Sequence, residues 1–260
     1  MKRTAICFYG LVGSQSHKGG NGAPLDVSLA GELNLQHIIN NNNADVFIHS
    51  WSTEKADELS RFYKPKGILV EQQAKFEIPR HIKFSRPLRE KIKLLLHPLK
   101  LRKTVDSWQK EAFRAYSRWL SCKRSIEQLQ KFEKASGFNY DAVLLTRLDV
   151  GFITPFDFES YDLTSFWVSN WNNAPKIGTN YSLDFTNQNQ HFGFLDFWFL
   201  SNSKNIKKFS NLYDNIHKMS VSPHRSSYQY AHQLGFDIKY CKYRWKDFEM
   251  VRRRYLDYQE

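Results

Sequence analysis

The chain has 260 residues, 41% of them hydrophobic and 15% aromatic, with a formal net charge of +12. That supplies a sizeable core with no long disordered tract, and the simplest reading is one α/β domain. So large a positive excess implies an anionic partner: nucleic acid, acidic lipid or a phosphorylated substrate.

Met1 to Gly10 carries two basic residues before a brief apolar stretch, too short for a signal peptide. No apolar run approaches the roughly eighteen residues needed to cross a bilayer, so a cytoplasmic location is expected. Ala5–Tyr9 predicts a first strand ending in Gly10. Val12 to Pro24, with Gly13, Gly19, Gly20 and Gly22, predicts a loop able to cradle phosphate, although GxGxxG and Walker spacings are absent. Leu25 to Asn40 has helical spacing in Leu29, Leu33, Ile38 and Ile39, and Ala44 to Trp51 predicts a second strand, giving β-α-β. Thr53 to Tyr63 predicts a surface helix and Gly67 to Gln72 a third strand.

Prolines 79, 87 and 98 interrupt the next segment, so residues 75–105 are expected to be a basic insertion with short helices at most. Between Arg80 and Lys103 nine Lys or Arg stand against one acid, Glu90, around the run Ile92-Lys-Leu-Leu-Leu-His-Pro-Leu-Lys-Leu101. Basic and leucine-rich together suit an anionic membrane surface, and a solvated helix with a leucine core face fits equally. Arg252, Arg253 and Arg254 extend the same character. Asp106 to Ser136 predicts the best helix, with Trp108, Ala112, Ala115, Trp119, Ile126, Leu129 and Phe132 as its apolar stripe.

Ala142 to Thr146 is an apolar strand that delivers Arg147 and Asp149 to its carboxyl end. In open α/β sheets ligands bind outside those ends, so an arginine and a carboxylate there suit a phosphorylated, metal-bridged or hydroxyl-rich ligand; the plain alternative is an ion pair that closes the strand. Ser165–Ser169 and Phe194–Leu200 predict further strands around a polar loop, 170–189. Pro223–Leu234 predicts a helix and Asp237–Tyr243 a last strand. Cys7, Cys122 and Cys241 have no metal-binding spacing and read as reduced thiols.

Four segments, Ala5-Ile-Cys-Phe-Tyr-Gly-Leu11, Asp45-Val-Phe-Ile-His-Ser-Trp51, Tyr140-Asp-Ala-Val-Leu-Leu-Thr-Arg-Leu-Asp149 and Phe194-Leu-Asp-Phe-Trp-Phe-Leu-Ser201, occur in an order that resembles GT-A-like bacterial glycosyltransferases of surface-polysaccharide synthesis. The resemblance spans most of the chain and implies a Rossmann-like mixed sheet flanked by helices, with a nucleotide-binding half to about residue 150 and an acceptor-binding half from 151 to 260. It implies that Tyr9, Gly10, Leu11, His49, Trp51 and Arg147 bind the donor. Asp149 would bind a divalent cation, Mn²⁺ or Mg²⁺, with the donor diphosphate. Gly13 stands where many relatives have Arg, and Arg-Leu-Asp-Val has one acid where a full Asp-x-Asp has two.

Glycosyl transfer needs positive charge on the departing diphosphate and, for inversion, a base for the acceptor hydroxyl. Asp196, on a strand, ranks above His191 and Asp184 as that base; His191 and His224 are acceptor contacts. The expected reaction moves a sugar from a nucleotide-sugar donor to a lipid-linked glycan, at the inner face of the cytoplasmic membrane through 80–103 and 252–254. The alternatives are a sugar-phosphate transferase of capsule assembly and a basic nucleic-acid-binding protein. Nucleic acid is the disfavoured partner, because no recognisable module is present and the charge concentrates in the insertion.

Overall fold

The computed structural model describes residues 2–12, 27–78, 98–170 and 193–251, with 98–105 described by backbone alone. The strands are β1 (Thr4–Gly10), β2 (Asp45–Ser50), β3 (Gly67–Val70), β4 (Ala142–Arg147), β5 (Val150–Phe152), β6 (Phe166–Asn170), β7 (Leu195–Ser201), β8 (Ile238–Tyr243) and β9 (Phe248–Met250). The helices are α1 (Val27–Asn34), α2 (Ala56–Tyr63), α3 (Pro98–Ser136), α4 (Ser203–Ser210), the single turn α5 (Leu212–Asn215) and α6 (Pro223–Gln233). A seven-stranded sheet runs β3-β2-β1-β4-β7-β6-β8, and β5 pairs with β9 in a separate ribbon. All pairings in the large sheet are parallel except those of β7, which is antiparallel to both β4 and β6. The chain is therefore α/β with a mostly parallel mixed sheet flanked by helices, an arrangement compatible with a Rossmann-like fold.

Period-two alternation builds the two cores. Ile6 and Phe8 of β1 face one layer, with Leu59 and Tyr63 of α2 and the β5–β9 ribbon, while Ala5, Cys7 and Tyr9 face the other. That second layer is dominated by α3, whose Ala115, Trp119, Cys122, Ile126 and Leu129 recur at helical spacing and are buried. Ile206 and Phe209 of α4, with Tyr230 and Ala231 of α6, complete it.

Three differences from the sequence expectations have local causes. First, α3 begins at Pro98 rather than Asp106, so part of the expected insertion is helix; proline is tolerated in a first helical turn because its missing N–H would have no partner there. Second, α4 was not expected: it is short, but Asn202 caps it by accepting from the Asn205 N–H at 2.9 Å. Third, β5 and β9 are three residues each, too short for an alternation signal, and Asn34 of α1 holds the ribbon by donating to Val150 O and accepting from Phe152 N. The polar loop lies almost wholly outside the described residues, as do the glycines expected to cradle phosphate, His191, Asp184, most of the basic segment and Arg252 to Arg254. Among the described residues no helix is long and apolar enough to cross a membrane.

The foot of α3 is locked by a buried acid. Glu133, 4% exposed, accepts from Tyr140 N at 2.9 Å and from Ser203 Oγ at 2.7 Å, and its other oxygen pairs with Lys207. One side chain thus joins the end of α3 to the approach to β4 and the start of α4. Glu133→Ala strips the counter-charge from Lys207 and leaves a buried N–H without its acceptor, so urea unfolding should show a loss of about 3 kcal/mol. A loss below about 0.5 kcal/mol, the range of neutral surface changes, contradicts this role.

Candidate functional site

Strand order locates the site before any side chain is considered. From β1 the chain adds β2 and then β3 on one side, and then places β4 on the other, so the winding reverses between β1 and β4. A crevice opens at the carboxyl ends of strands that part in this way. Tyr9 stands opposite Arg147 across that switch point, and Leu148 N donates to Tyr9 O at 3.1 Å. Because β7 is antiparallel, its first residues, Leu195 and Asp196, lie at the same edge. The ends of β6 and β8, both parallel to β4 in sense, share it.

Two ion pairs occupy this edge. Arg147 grips Asp149 in a fork, Nε to Oδ1 at 2.7 Å and Nη2 to Oδ2 at 2.5 Å, and its Cζ lies 5.3 Å from the centroid of the Phe197 ring. The side chains are 14% and 6% exposed. Burial works against the Arg147 charge, but the Asp149 carboxylate outweighs it and the guanidinium is held above its ordinary range. The second pair joins Arg118 of α3 to Asp196 of β7, the carboxylate fully buried and the arginine 22% exposed. Burial, then the like charge of Arg147, lower Arg118 to about 10, so both guanidiniums stay charged at neutral pH. Tyr9 Oη donates to the Asp196 carbonyl at 3.3 Å.

His224, at the start of α6, completes the cluster. Its Nδ1 lies 2.8 Å from Phe194 O and 2.8 Å from Asp196 Oδ1. Both neighbours are acceptors, so Nδ1 carries the proton and Nε2 the lone pair. Burial first, and then the Arg118 charge, lower His224 to about 4, which keeps the ring neutral. Gly193, with φ of +89°, permits this placement: a Cβ there would overlap the His224 carbonyl.

The other residues named from the sequence fall in two groups. Tyr9, Gly10 and Leu11 lie at the end of β1 on the switch point. Gly10 adopts φ of +102°, with open space where a Cβ would stand, and Leu11 is 41% exposed. Trp51 is 5% exposed, and its indole Nε1–H has no partner among the described residues, a donor worth about 1–3 kcal/mol if an acceptor is supplied. His49 is instead committed to the scaffold. It is fully buried, with Nδ1 2.7 Å from Ser121 Oγ and Nε2 3.2 Å from Glu71 Oε1, while Ser121 also accepts the Gly10 N–H at 2.8 Å.

Asp196 likewise sits behind His224 rather than in front of it: the fully buried carboxylate orients a ring whose side chain is 33% exposed. Arg118 was missed, because a lone arginine between the apolar stripe positions Ala115 and Cys122 reads as surface. Its i+4 relation to Cys122 was the available signal.

Both Asp149 oxygens are held by Arg147, and no group of three or more His, Cys, Asp or Glu side chains able to hold an ion occurs among the described residues. Cys7, Cys122 and Cys241 are free and buried, and burial raises all three thiols, which leaves them unsuited to nucleophilic or ligand roles. No family model matches the chain, and comparison with curated proteins finds no match.

Burial lowers His49 from 6.5 to about 4, more than Glu71 raises it. The unfolded chain therefore binds a proton between those values that the folded chain refuses, so stability is complete above pH 6.5 and is lost as pH falls toward about 4. From pH 7 to 5 the His49 contribution should fall by about 2 kcal/mol, read from urea midpoints. His49→Gln should flatten the slope by that amount; an unchanged slope contradicts the buried, neutral ring.

Proposed function

We propose that the chain is a nucleotide-sugar-dependent glycosyltransferase of the GT-A-like kind, moving a sugar to a glycan acceptor in bacterial surface-polysaccharide synthesis. The observation that carries the reading is the convergence of two charged guanidiniums, Arg147 and Arg118, on the carboxyl edge at the β1/β4 switch point. The fork with Asp149 uses Nε and Nη2 and leaves the Nη1 hydrogens of Arg147 outside it. Preorganised positive charge of this kind stabilises a departing diphosphate more in the transition state than in the ground state. The end of β1, where Leu11 is 41% exposed, supplies surface for base and ribose.

In the reaction the acceptor oxygen bonds to the anomeric carbon as the bond from that carbon to the diphosphate oxygen breaks. The electron pair leaves with the nucleoside diphosphate, whose charge Arg147 takes with Arg118 behind it. The hydroxyl proton passes to His224 Nε2, with the Phe194 carbonyl accepting from Nδ1–H and the Asp196 carboxylate 2.8 Å from the same nitrogen; this arrangement suits inversion. His224 thereby takes the role that the sequence suggested for Asp196. Asp149 acts by orienting Arg147. A lipid-linked acceptor would bring the enzyme to the inner face of the cytoplasmic membrane, with 80–103 and 252–254 meeting its anionic surface.

Thermal-shift assays with UDP, GDP, CDP and CMP, each with Mn²⁺ and with a chelator, should show one nucleotide raising the melting temperature under both conditions. At a hundredfold excess over Kd the stabilisation is about 2.7 kcal/mol. Arg147→Ala should abolish the shift and lower donor hydrolysis and transfer by about a hundredfold or more. His224→Asn should keep nucleotide binding and lose transfer. If Arg147→Ala and Asp149→Ala leave transfer untouched across a nucleotide-sugar panel, the site is elsewhere.

A further inference from the structure

The turn between β8 and β9 carries a feature that the donor site does not use. Trp245 is 60% exposed, the most exposed of the large hydrophobic side chains among the described residues, and adopts φ of +75°. A bulky residue with a Cβ rarely adopts that conformation, and when a fold imposes it the strain tends to fall at ligand-binding and switch positions. The indole is also held in place. The Arg244 guanidinium lies over it, Cζ 4.7 Å from the ring centroid, and is itself fixed by Glu249, with Nε 3.1 Å from each carboxylate oxygen and Nη2 2.7 Å from Oε1. The Arg244 Cζ lies 5.3 Å from the centroid of Phe197, the ring that Arg147 also contacts at 5.3 Å. A continuous stack therefore runs from the solvent-exposed indole, through one guanidinium and a buried phenyl ring, to the guanidinium of the donor site.

We propose that Trp245 is the acceptor platform, on which the apolar face of a sugar ring stacks beside the reacting centre. This rests on the acceptor side of the function proposed above. Two observations favour a sugar. The platform lies after β8, at the far end of the strand order from β3, and so across β4 from the β1 and β2 ends that serve the donor. And one face of the ring is covered by a pinned cation while the residue stays mostly exposed, which gives a rigid contact surface at little entropic cost.

The test is a glycan array of neutral and acidic bacterial-surface oligosaccharides, probed with the full-length protein and with Trp245→Ala, Trp245→Phe and Trp245→Gly, alongside nucleoside-diphosphate thermal shifts for each. Glycan binding should fall about tenfold in the Ala and Gly variants and stay within about threefold in the Phe variant, while the nucleotide shift is unchanged in all of them. Trp245→Gly separates binding from folding, because glycine accepts the positive φ and this variant should melt no lower than wild type. Equal glycan binding by wild type and Trp245→Gly overturns the proposal. So does the absence of any glycan binding by wild type, or Trp245-dependent binding of single-stranded oligothymidylate in its place. Trp245-dependent glycan binding without any nucleotide shift would uphold the platform and refute the donor reading.

Discussion

Arg118 and Asp196 form an ion pair, one on the helix that covers the sheet and the other, fully buried, on the strand that reverses its direction. Removing one partner from such a buried pair typically costs about 3–5 kcal/mol, so the pair determines how α3 sits over β7. Neighbouring α3 residues extend the same registration. Trp119 donates from Nε1 to Ser226 Oγ of α6 at 3.0 Å, Ser121 accepts from the end of β1 and contacts His49 of β2, and Lys123 pairs with Asp214 of α5. One stretch of helix thus positions five elements around the switch point, and the guanidinium of Arg118 arrives there as a consequence.

Charge at this edge is organised in layers. Carboxylates lie beneath and hold cations in place, Asp149 beneath Arg147 and Asp196 beside Arg118, and a neutral histidine stands at the side. Each acid fixes the geometry of its partner without removing its charge, so an incoming anion meets guanidiniums that need no reorganisation. Burial first, and then the charges of Arg118 and Arg147, hold the His224 ring neutral within this layout.

The parts legible from sequence were those governed by burial on both sheet faces. Continuous apolar runs marked β1, β2, β4 and β7, and an abrupt change to charge after Thr146 marked the candidate site. What stayed hidden depended on tertiary partners. His49 and Arg147 both lie at strand ends, yet one is buried by Ser121 and Glu71 while the other pairs with Asp149 and stays 14% exposed, and nothing local distinguishes them. Asp196 was chosen for its rigid strand, but which of it and His224 faces outward depends on a helix that begins twenty-seven residues later. Arg118 was obscured by the apolar stripe around it, and Trp245 by a three-residue strand too short to show a turn before it.

The most direct measurement is a crystal structure of the protein soaked with the nucleoside diphosphate that stabilises it. The account requires the diphosphate at the β1/β4 switch point, with an oxygen within hydrogen-bonding distance, about 3 Å, of Arg147 and with Arg118 still paired to Asp196. A diphosphate bound anywhere else, with Arg147 remaining closed on Asp149 and untouched by ligand, would contradict it.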